Sequence, residues 1–481
     1  MGIVVIGLGP GPLEQMSLGA WRIIESAREL YVRTAQHPTV QALPSDLTVH
    51  SFDELYERCQ TFTELYQEIA RQVVALGRRP EGVIYAVPGH PLVGEQSVQN
   101  IIALARAEGL PVEIVPSESF ISPILVALGL DGLELQIVDA LEVASRHHPP
   151  LRVDGPALLG QLYSREVAAD VKLALLNAYP PEFEVVLVRA AGTSQQLVRR
   201  LPLVELDRQP DIDHLTSLYI PPRPQPCSLE SFQDTVARLR GPGGCPWDRE
   251  QTHLTLRETL LEEAYEVLEA LDREDLPALM VELGDLLMQI CMHAQMASEE
   301  GAFTVYDVIA AIDSKIKRRH PHVFGDLNLP DAEAVLRNWE EIKQHERGNE
   351  KADSLLSGVP QGLPALAQAN AYQKRVARVG FDWPSIEGVY QKVREELAEL
   401  ERAPAERRED ELGDLLFSVV NLSRHLGVDP ESALRRANAR FRARFERMQQ
   451  LARERGLDLR ELSLAEQDRL WEEAKAGEEG S

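Results

Sequence analysis

The chain reads as two halves with different periodicity. In the first, short apolar, β-branched runs at 3–6, 83–87, 112–115 and 185–188 alternate with stretches where apolar residues recur every three or four positions. Such runs predict buried strands, and the intervening period predicts amphipathic helices. Strands separated by helices imply an α/β sheet with crossover connections. In the second half helical periodicity is nearly unbroken, strand candidates are scarce, and Glu, Leu, Arg and Ala dominate, so an all-α region is expected. The change falls at Pro221-Pro222-Arg223-Pro224-Gln225-Pro226, whose prolines cannot continue a helix or a central strand and predict a stiff spacer. A single lysine, Lys172, precedes the spacer, which supports two separate domains.

The helical half repeats itself. Leu261-Glu262-Glu263-Ala264-Tyr265-Glu266, followed by Val281-Glu282-Leu283-Gly284-Asp285-Leu286-Leu287, is answered by Arg394-Glu395-Glu396-Leu397-Ala398-Glu399, followed by Glu411-Leu412-Gly413-Asp414-Leu415-Leu416. His293 is answered by His425 and Trp339 by Trp471, both 132 residues on, which makes a tandem duplication joined through the loop-rich 344–364. Glu263 and Glu266 share a helix face, as do Glu282 and Asp285, Glu396 and Glu399, and Glu411 and Asp414.

A solvated helix face is the ordinary reading of one such motif. Two features count against it here. The second acidic pair of each copy lies inside an apolar run, where an unpaired carboxylate is costly, and no Lys or Arg lies in either run to balance it. The mid-helix glycines Gly284 and Gly413 recur as well, which suggests close approach of a backbone or a ligand. If each helix pair is antiparallel, four carboxylates converge, and hard divalent cations, Mg²⁺ or alternatively Mn²⁺, are the economical counter-charge. Arg436, Arg440, Arg444 and Arg447 recur on one helix face and suit a polyphosphate.

Composition narrows the partners. Against 76 Asp+Glu the chain carries 50 Lys+Arg, a formal net charge of -26 over 481 residues. Such a chain is not expected to bind nucleic acid without sequence preference or to dock on anionic lipid. The four cysteines (Cys59, Cys227, Cys245, Cys291) show no CxxC spacing, so neither a disulfide framework nor a zinc site is expected. No uninterrupted apolar run reaches the roughly 18 residues of a membrane span. Residues 1–7 enter a strand without the regions of a signal peptide, so a cytoplasmic protein is expected.

These strings, together with Gly241-Pro242-Gly243-Gly244-Cys245-Pro246-Trp247-Asp248, Arg318-Arg319-His320-Pro321-His322-Val323-Phe324 and Val379-Gly380-Phe381-Asp382-Trp383, resemble the MazG family of all-α nucleoside triphosphate pyrophosphohydrolases across about 227–476. The resemblance implies Mg²⁺-dependent cleavage between the α and β phosphates and a homodimer. It implies Glu396, Glu399, Glu411 and Asp414 as metal ligands, Glu395 as an assisting base, Lys392, Arg436 and Arg440 on phosphates, and Trp471 against the nucleotide. In the first copy Glu263, Glu266, Glu282 and Asp285 match the metal set. There, however, Thr259 stands where Lys392 does and, allowing for a gap, Ala311 where Arg436 does, so the second copy is expected to be the main catalytic one. His320 and His322 are expected to be structural, Cys245 part of a packed turn, and Trp247 and Trp383 packing residues.

In the first half, a strand runs into Gly7-Leu8-Gly9-Pro10-Gly11, but Pro12 breaks the GxGxxG dinucleotide fingerprint. Two more small-residue loops, Val87-Pro88-Gly89-His90-Pro91-Leu92 and Val115-Pro116-Ser117-Glu118-Ser119-Phe120, follow strands and describe a ligand cleft. Together they resemble the tetrapyrrole (corrin/porphyrin) methylase family over about 1–222, whose members bind S-adenosylmethionine between two α/β subdomains. That resemblance places Pro10, Pro88, Gly89, His90, Val93, Ser119, Phe120 and Tyr163 around the cofactor; His90 and Pro12 stand where the family commonly has Asp.

The sequence thus predicts a multidomain chain: an α/β methylase-like domain of two subdomains at 1–222, then helical repeats at 227–345 and 364–476. The expected function is nucleoside triphosphate pyrophosphohydrolysis. Two rivals are a methyltransferase whose helical half is a nucleotide-sensing dimerisation module, and a non-enzymatic nucleotide-binding regulator.

Overall fold

The structure, a computed structural model, describes residues 2–346 and 355–477. The chain divides into two compact units, Met1–Thr235 and Val236–Ser481.

Unit one contains two five-stranded sheets. The first, in the order β3-β2-β4-β1-β5, consists of β1 (Ile3–Gly7), β2 (Glu29–Val32), β3 (Thr48–Ser51), β4 (Val83–Val87) and β5 (Val112–Val115), and every pair in it is parallel. Its faces are both covered. Val5, Tyr85 and Val87 pack with Ile69, Val73 and Ile101 on one side, and Ile6, Ala86, Leu30 and Val32 with Ala20 and Ile24 on the other. Burial on both faces is why β1 and β4 read as continuous apolar runs. The second sheet, β6-β7-β10-β8-β9, is mixed: β6 (Gln136–Asp139) and β7 (Ala157–Gly160) are parallel, and β8 (Glu184–Arg189) forms a hairpin with β9 (Leu197–Pro202). Strand β10 (Thr216–Ile220) lies antiparallel between β7 and β8. The expectation of crossover connections therefore describes the first sheet, while the second departs from it through a hairpin.

The compact boundary falls at Thr235, inside the helix Leu229–Arg240, and not at the prolines. The buried Asp154 carboxylate accepts from the Ser231 hydroxyl and, at 2.8 Å, from that of Ser228. Burial pushes its pKa up, but these hydroxyls and the amides of Ser228 and Cys227 outweigh it and hold the group down to about 2. The helix start is thereby pinned to unit one.

In unit two the described residues form helices and turns. Arg257–Asp272 (α1) and Leu276–Glu299 (α2) form a tight hairpin, in which the Asp275 side chain caps the Ala278 amide. Ile386–Arg402 (α3) and Arg408–His425 (α4) repeat it, followed by Pro430–Glu454 (α5) and Leu464–Ala476 (α6). Pro430 opens α5 and Asp429 caps it; a reciprocal Ser463–Glu466 capping box starts α6. Of the expected inter-repeat connection, 347–354 lies outside the described residues.

One expectation needs correction. By length and average composition α2, with 24 residues, is long and apolar enough to cross a membrane. Glu282 and Asp285 interrupt its apolar run, which is why counting uninterrupted residues missed it. Met280, Val281, Leu283 and Leu287 on α2, and Leu412, Leu416 and Phe417 on α4, remain exposed in the single chain.

Candidate metal and nucleotide site

The second helical copy gathers its carboxylates at the centre of the α3–α4 hairpin. Oxygens of Glu396, from α3, and of Glu411 and Asp414, from α4, lie within 4.8 Å of one another. Glu396 and Glu411 are buried, at 5% and 7% exposure, depths that carboxylates occupy only when paired or ligating. The absence of a counter-charge, expected from the acidic runs, is corrected here: Lys392 Nζ lies 2.8 Å from Glu396 and 3.0 Å from Glu395, and Arg407 lies 2.6 Å from Glu411. Lys392 and Arg407 each precede their main partner by one helical turn, outside the acidic apolar runs themselves. The two carboxylates push the Lys392 ammonium pKa upward and fix it charged.

One oxygen stays unanswered. Glu396 Oε2 is buried with no hydrogen-bond partner in the structure. An oxygen-only donor set with an orphaned, buried carboxylate oxygen fits a hard divalent cation. Glu399, one turn further along α3, is exposed and lies outside this trio.

The first copy builds the same cluster with less help. Glu263 and Glu266 of α1 meet Glu282 of α2 within 4.8 Å. Burial, then the charges of Asp285 and Glu266, push the Glu263 carboxyl upward, and burial with Glu266 and Asp285 does the same to Glu282. Asp285 thus acts on the cluster by its charge while lying outside the trio itself. Thr259, in α1 where Lys392 sits in α3, supplies no cation. Nothing lies within 4 Å of a methyl group built on Gly284 or Gly413, so no described protein backbone demands either glycine.

The arginine stripe lies on α5. Arg436 Nη1 is 3.1 Å and Arg435 Nε 2.8 Å from Asp272, the last residue of α1, so the first copy holds two arginines of the second. This contact was not foreseen, since nothing in the sequence links residues so far apart. Arg440 is exposed, and Arg447 lies 3.7 Å from Glu454. Trp471 packs at 5.2 Å on Phe441 beside Met448 and Leu451, in the α5–α6 cluster and not in the carboxylate trio. His320 Nδ1 donates at 2.7 Å to the Ile316 carbonyl, and the ring neighbours His322. Cys245 precedes the short helix Pro246–Glu250 without a side-chain capping bond, and Trp383 packs over Gly388, whereas Trp247 is 60% exposed.

The three loops of the N-terminal half meet at the C-terminal ends of β4, β1 and β5, which are neighbours in the sheet. Gly9 and Gly89 exchange backbone bonds at 2.7 and 3.3 Å, both with positive φ. A side chain on Gly7 would strike the Gly89 carbonyl at 2.4 Å, so the tight strand–loop junction needs glycine. Pro10, Pro88 and His90 ride on these loops; His90 Nδ1 accepts from the Leu92 amide, and the Val93 amide donates to the His90 carbonyl. Ser119 caps the Ile121 amide, Phe120 packs over Gly160 at the end of β7, and Tyr163 stacks edge-on to Phe62. Sequence reasoning missed the braces: Ser117 Oγ donates to Gly7 O at 2.7 Å, and the buried Thr39 hydroxyl bonds Leu8 O and Gly11 O. Burial holds the adjacent His37 imidazole down to about 4. The short His37-Pro38-Thr39 string was the available signal.

The model of the MazG nucleotide pyrophosphohydrolase domain matches residues 251–324, and that of the tetrapyrrole (corrin/porphyrin) methylases matches residues 2–207. Across 100% of this chain and 99% of that protein, the chain is 41% identical to the uncharacterized protein YabN of Bacillus subtilis. Over 52% of this chain it is 47% identical to the nucleoside triphosphate pyrophosphohydrolase/pyrophosphatase MazG of Thermotoga maritima, covering 97% of that protein. A crystal structure of uroporphyrin-III-C-methyltransferase from Thermus thermophilus is 26% identical, covering 46% of this chain and 91% of that one, with a TM-score of 0.36.

Removing the lysine exposes the charge problem directly. Lys392→Ala leaves Glu396 buried with its main cation gone, at a cost of about 1–2 kcal/mol after solvent screening of the half-exposed ammonium. The thermal midpoint in EDTA should fall by a few degrees, and millimolar Mg²⁺ should raise the variant by more than it raises the wild type. Equal Mg²⁺ shifts would contradict a metal at this cluster.

Proposed function

The chain belongs to the MazG family of nucleoside triphosphate pyrophosphohydrolases, with a tetrapyrrole methylase-like domain in the same chain, and we propose that its second helical copy carries the hydrolase site. The observation that carries this is the burial of Glu396 and Glu411 with Asp414 in one oxygen cluster beside Lys392. Glu396, Glu399, Glu411 and Asp414 would hold Mg²⁺, or Mn²⁺ in its place. When bound, the ion supplies positive charge that offsets the phosphate oxygens and acidifies a water.

The substrate is a nucleoside triphosphate. A water oxygen attacks the α phosphorus, the bond from that phosphorus to the bridging oxygen breaks, and pyrophosphate leaves with the electron pair. Glu395, exposed beside Lys392, takes the proton of the attacking water. Lys392, Arg436 and Arg440 hold non-reacting phosphate oxygens; Trp471 bounds the nucleotide. Placed in this way, the cations favour the charge that develops on the departing pyrophosphate. The first copy, at 227–345, keeps the metal carboxylates but has Thr259 and Ala311 in place of cations, so it binds metal and hydrolyses weakly beside the 364–476 copy.

In the 1–222 domain the glycine loops and Pro10, Pro88, Gly89, His90, Val93, Ser119, Phe120 and Tyr163 form the binding site for S-adenosylmethionine. The exposed apolar residues of α2 and α4 are covered by a second copy in a homodimer. A cytoplasmic location accords with sparse cysteines and with the substrate.

Pyrophosphate release from a panel of NTPs and dNTPs with Mg²⁺ tests the main reading. Glu396→Ala is expected to lose at least about a hundredfold in kcat/KM, a barrier change near 3 kcal/mol, while Glu263→Ala keeps most of the rate. Loss in Glu263→Ala alone would reverse the copies; no release from any nucleotide would remove the reading. Separately, titration calorimetry with S-adenosylhomocysteine is expected to show one site per chain, and absence of heat together with absence of protection from heating would leave the domain without its cofactor.

A further inference from the structure

A second polar cluster stands at the other end of α2. His293 lies eleven residues beyond Glu282, about 16 Å along the helix, so it is separate from the carboxylate trio. His253, from the segment between the Pro246–Glu250 helix and α1, faces it. Their Nδ1 atoms are 2.8 Å apart, and the rings are stacked 5.1 Å centre to centre and tilted by only 5°. The segment holding His253 is firmly built. Thr252 and Thr255 exchange side-chain bonds with each other's amides at 2.8 and 3.2 Å, and Arg240 reaches the Gln251 carbonyl while pairing with Glu299 at 2.8 Å. A cavity of about 510 Å³ opens beside it, lined by His253, Gln251, Met296, Glu299 and Glu300.

The duplicated copy gives the contrast. At the position of His293 stands His425, whose Nε2 lies 3.1 Å from the Asp382 carboxylate, itself paired with Arg424. There a histidine meets a carboxylate and a guanidinium, with no nitrogen pair. Met292 stands where Arg424 does, and the nearby cation, Arg240, is held by Glu299, so the two imidazoles of the first copy face each other.

We propose that His253 and His293 form a transition-metal site of the first copy, for a nitrogen-seeking divalent ion such as Cu²⁺, Ni²⁺ or Zn²⁺, distinct from the carboxylate site. Between two Nδ1 atoms at this separation, one proton must be shared; an ion takes the place of that proton. Two nitrogens 2.8 Å apart, each about 2.1 Å from an ion, subtend roughly 85°, close to the right angle of a tetragonal site. The nitrogens point at each other as they stand, so each imidazole must swing for its lone pair to meet an ion beside the N–N line; Cu²⁺ or Ni²⁺ needs that swing alone, and tetrahedral Zn²⁺ also needs the nitrogens to part by a few tenths of an ångström. The cavity reaches His253 and leaves room for water on that side of the pair. Occupation ties the segment before α1 to α2, the two helices that carry Glu263, Glu266 and Glu282.

The full chain is loaded with millimolar Mg²⁺ to occupy the carboxylates, one equivalent of Cu²⁺ is added, and the electron paramagnetic resonance spectrum is recorded. The wild type is expected to show hyperfine splitting from two nitrogen ligands. His253→Gln and His293→Gln should each lose it and weaken Cu²⁺ binding at least tenfold, with circular dichroism unchanged. If His293→Gln fails to fold, His253→Gln, at an exposed position, decides. An oxygen-only spectrum in the wild type, or a nitrogen signal that survives in the variants, overturns the site whether or not the chain hydrolyses nucleotides.

Discussion

Acidic groups facing one another across a helix hairpin are the constraint around which the helical half is arranged. Each hairpin places three carboxylates within 4.8 Å, a density of negative charge that packing alone does not stabilise. The two copies answer it differently. In the second, Lys392 and Arg407 sit one turn from Glu396 and Glu411, and these two carboxylates sink to near-complete burial while Asp414 stays exposed. In the first, Thr259 replaces the lysine, the acids remain more exposed, and burial together with mutual repulsion raises Glu263 and Glu282. Cations beside a carboxylate cluster suit it to a polyanion, and a cluster of acids alone suits it to a divalent ion; the proposed division of labour between the copies rests on that difference.

The halves of the chain also bury their apolar surface by different means. The parallel sheet of the first half is enclosed by its own helices, so Val5, Ile6 and Tyr85 vanish from solvent within one chain. In the helical half, α2 and α4 keep Leu283, Leu287, Leu412 and Leu416 exposed beside the carboxylates. Asp272 bridges the copies by holding Arg435 and Arg436, which couples the end of the first acidic hairpin to the arginine stripe of the second.

Much of this was legible in the residues. The duplicated acidic motifs gave the hairpins and their convergence, because helical spacing fixes which carboxylates share a face. Short β-branched runs revealed β1, β4, β8 and, despite Glu113, β5, whereas exposed β3 and the alternating β9 carried no such run. Lys392 and Arg407 were readable at i,i+4 spacing once the search extended beyond the apolar run. The Asp272–Arg436 and His253–His293 contacts were not, since they join segments whose proximity depends on packing between helices. The membrane-length character of α2 was hidden by two acids that a run count rejects and an average tolerates.

The central claim is that the α3–α4 carboxylates are a divalent-ion site. Titration of Mn²⁺ followed by its free-ion paramagnetic signal tests it most directly, with the wild type compared with the Glu396→Gln/Glu411→Gln double variant in a Glu263→Gln/Glu282→Gln background that silences the first copy. Loss of free signal in the background protein, reversed by excess Mg²⁺ and abolished by the added double substitution, is the expected result. Mn²⁺ binding that is indifferent to the added substitutions would contradict the claim.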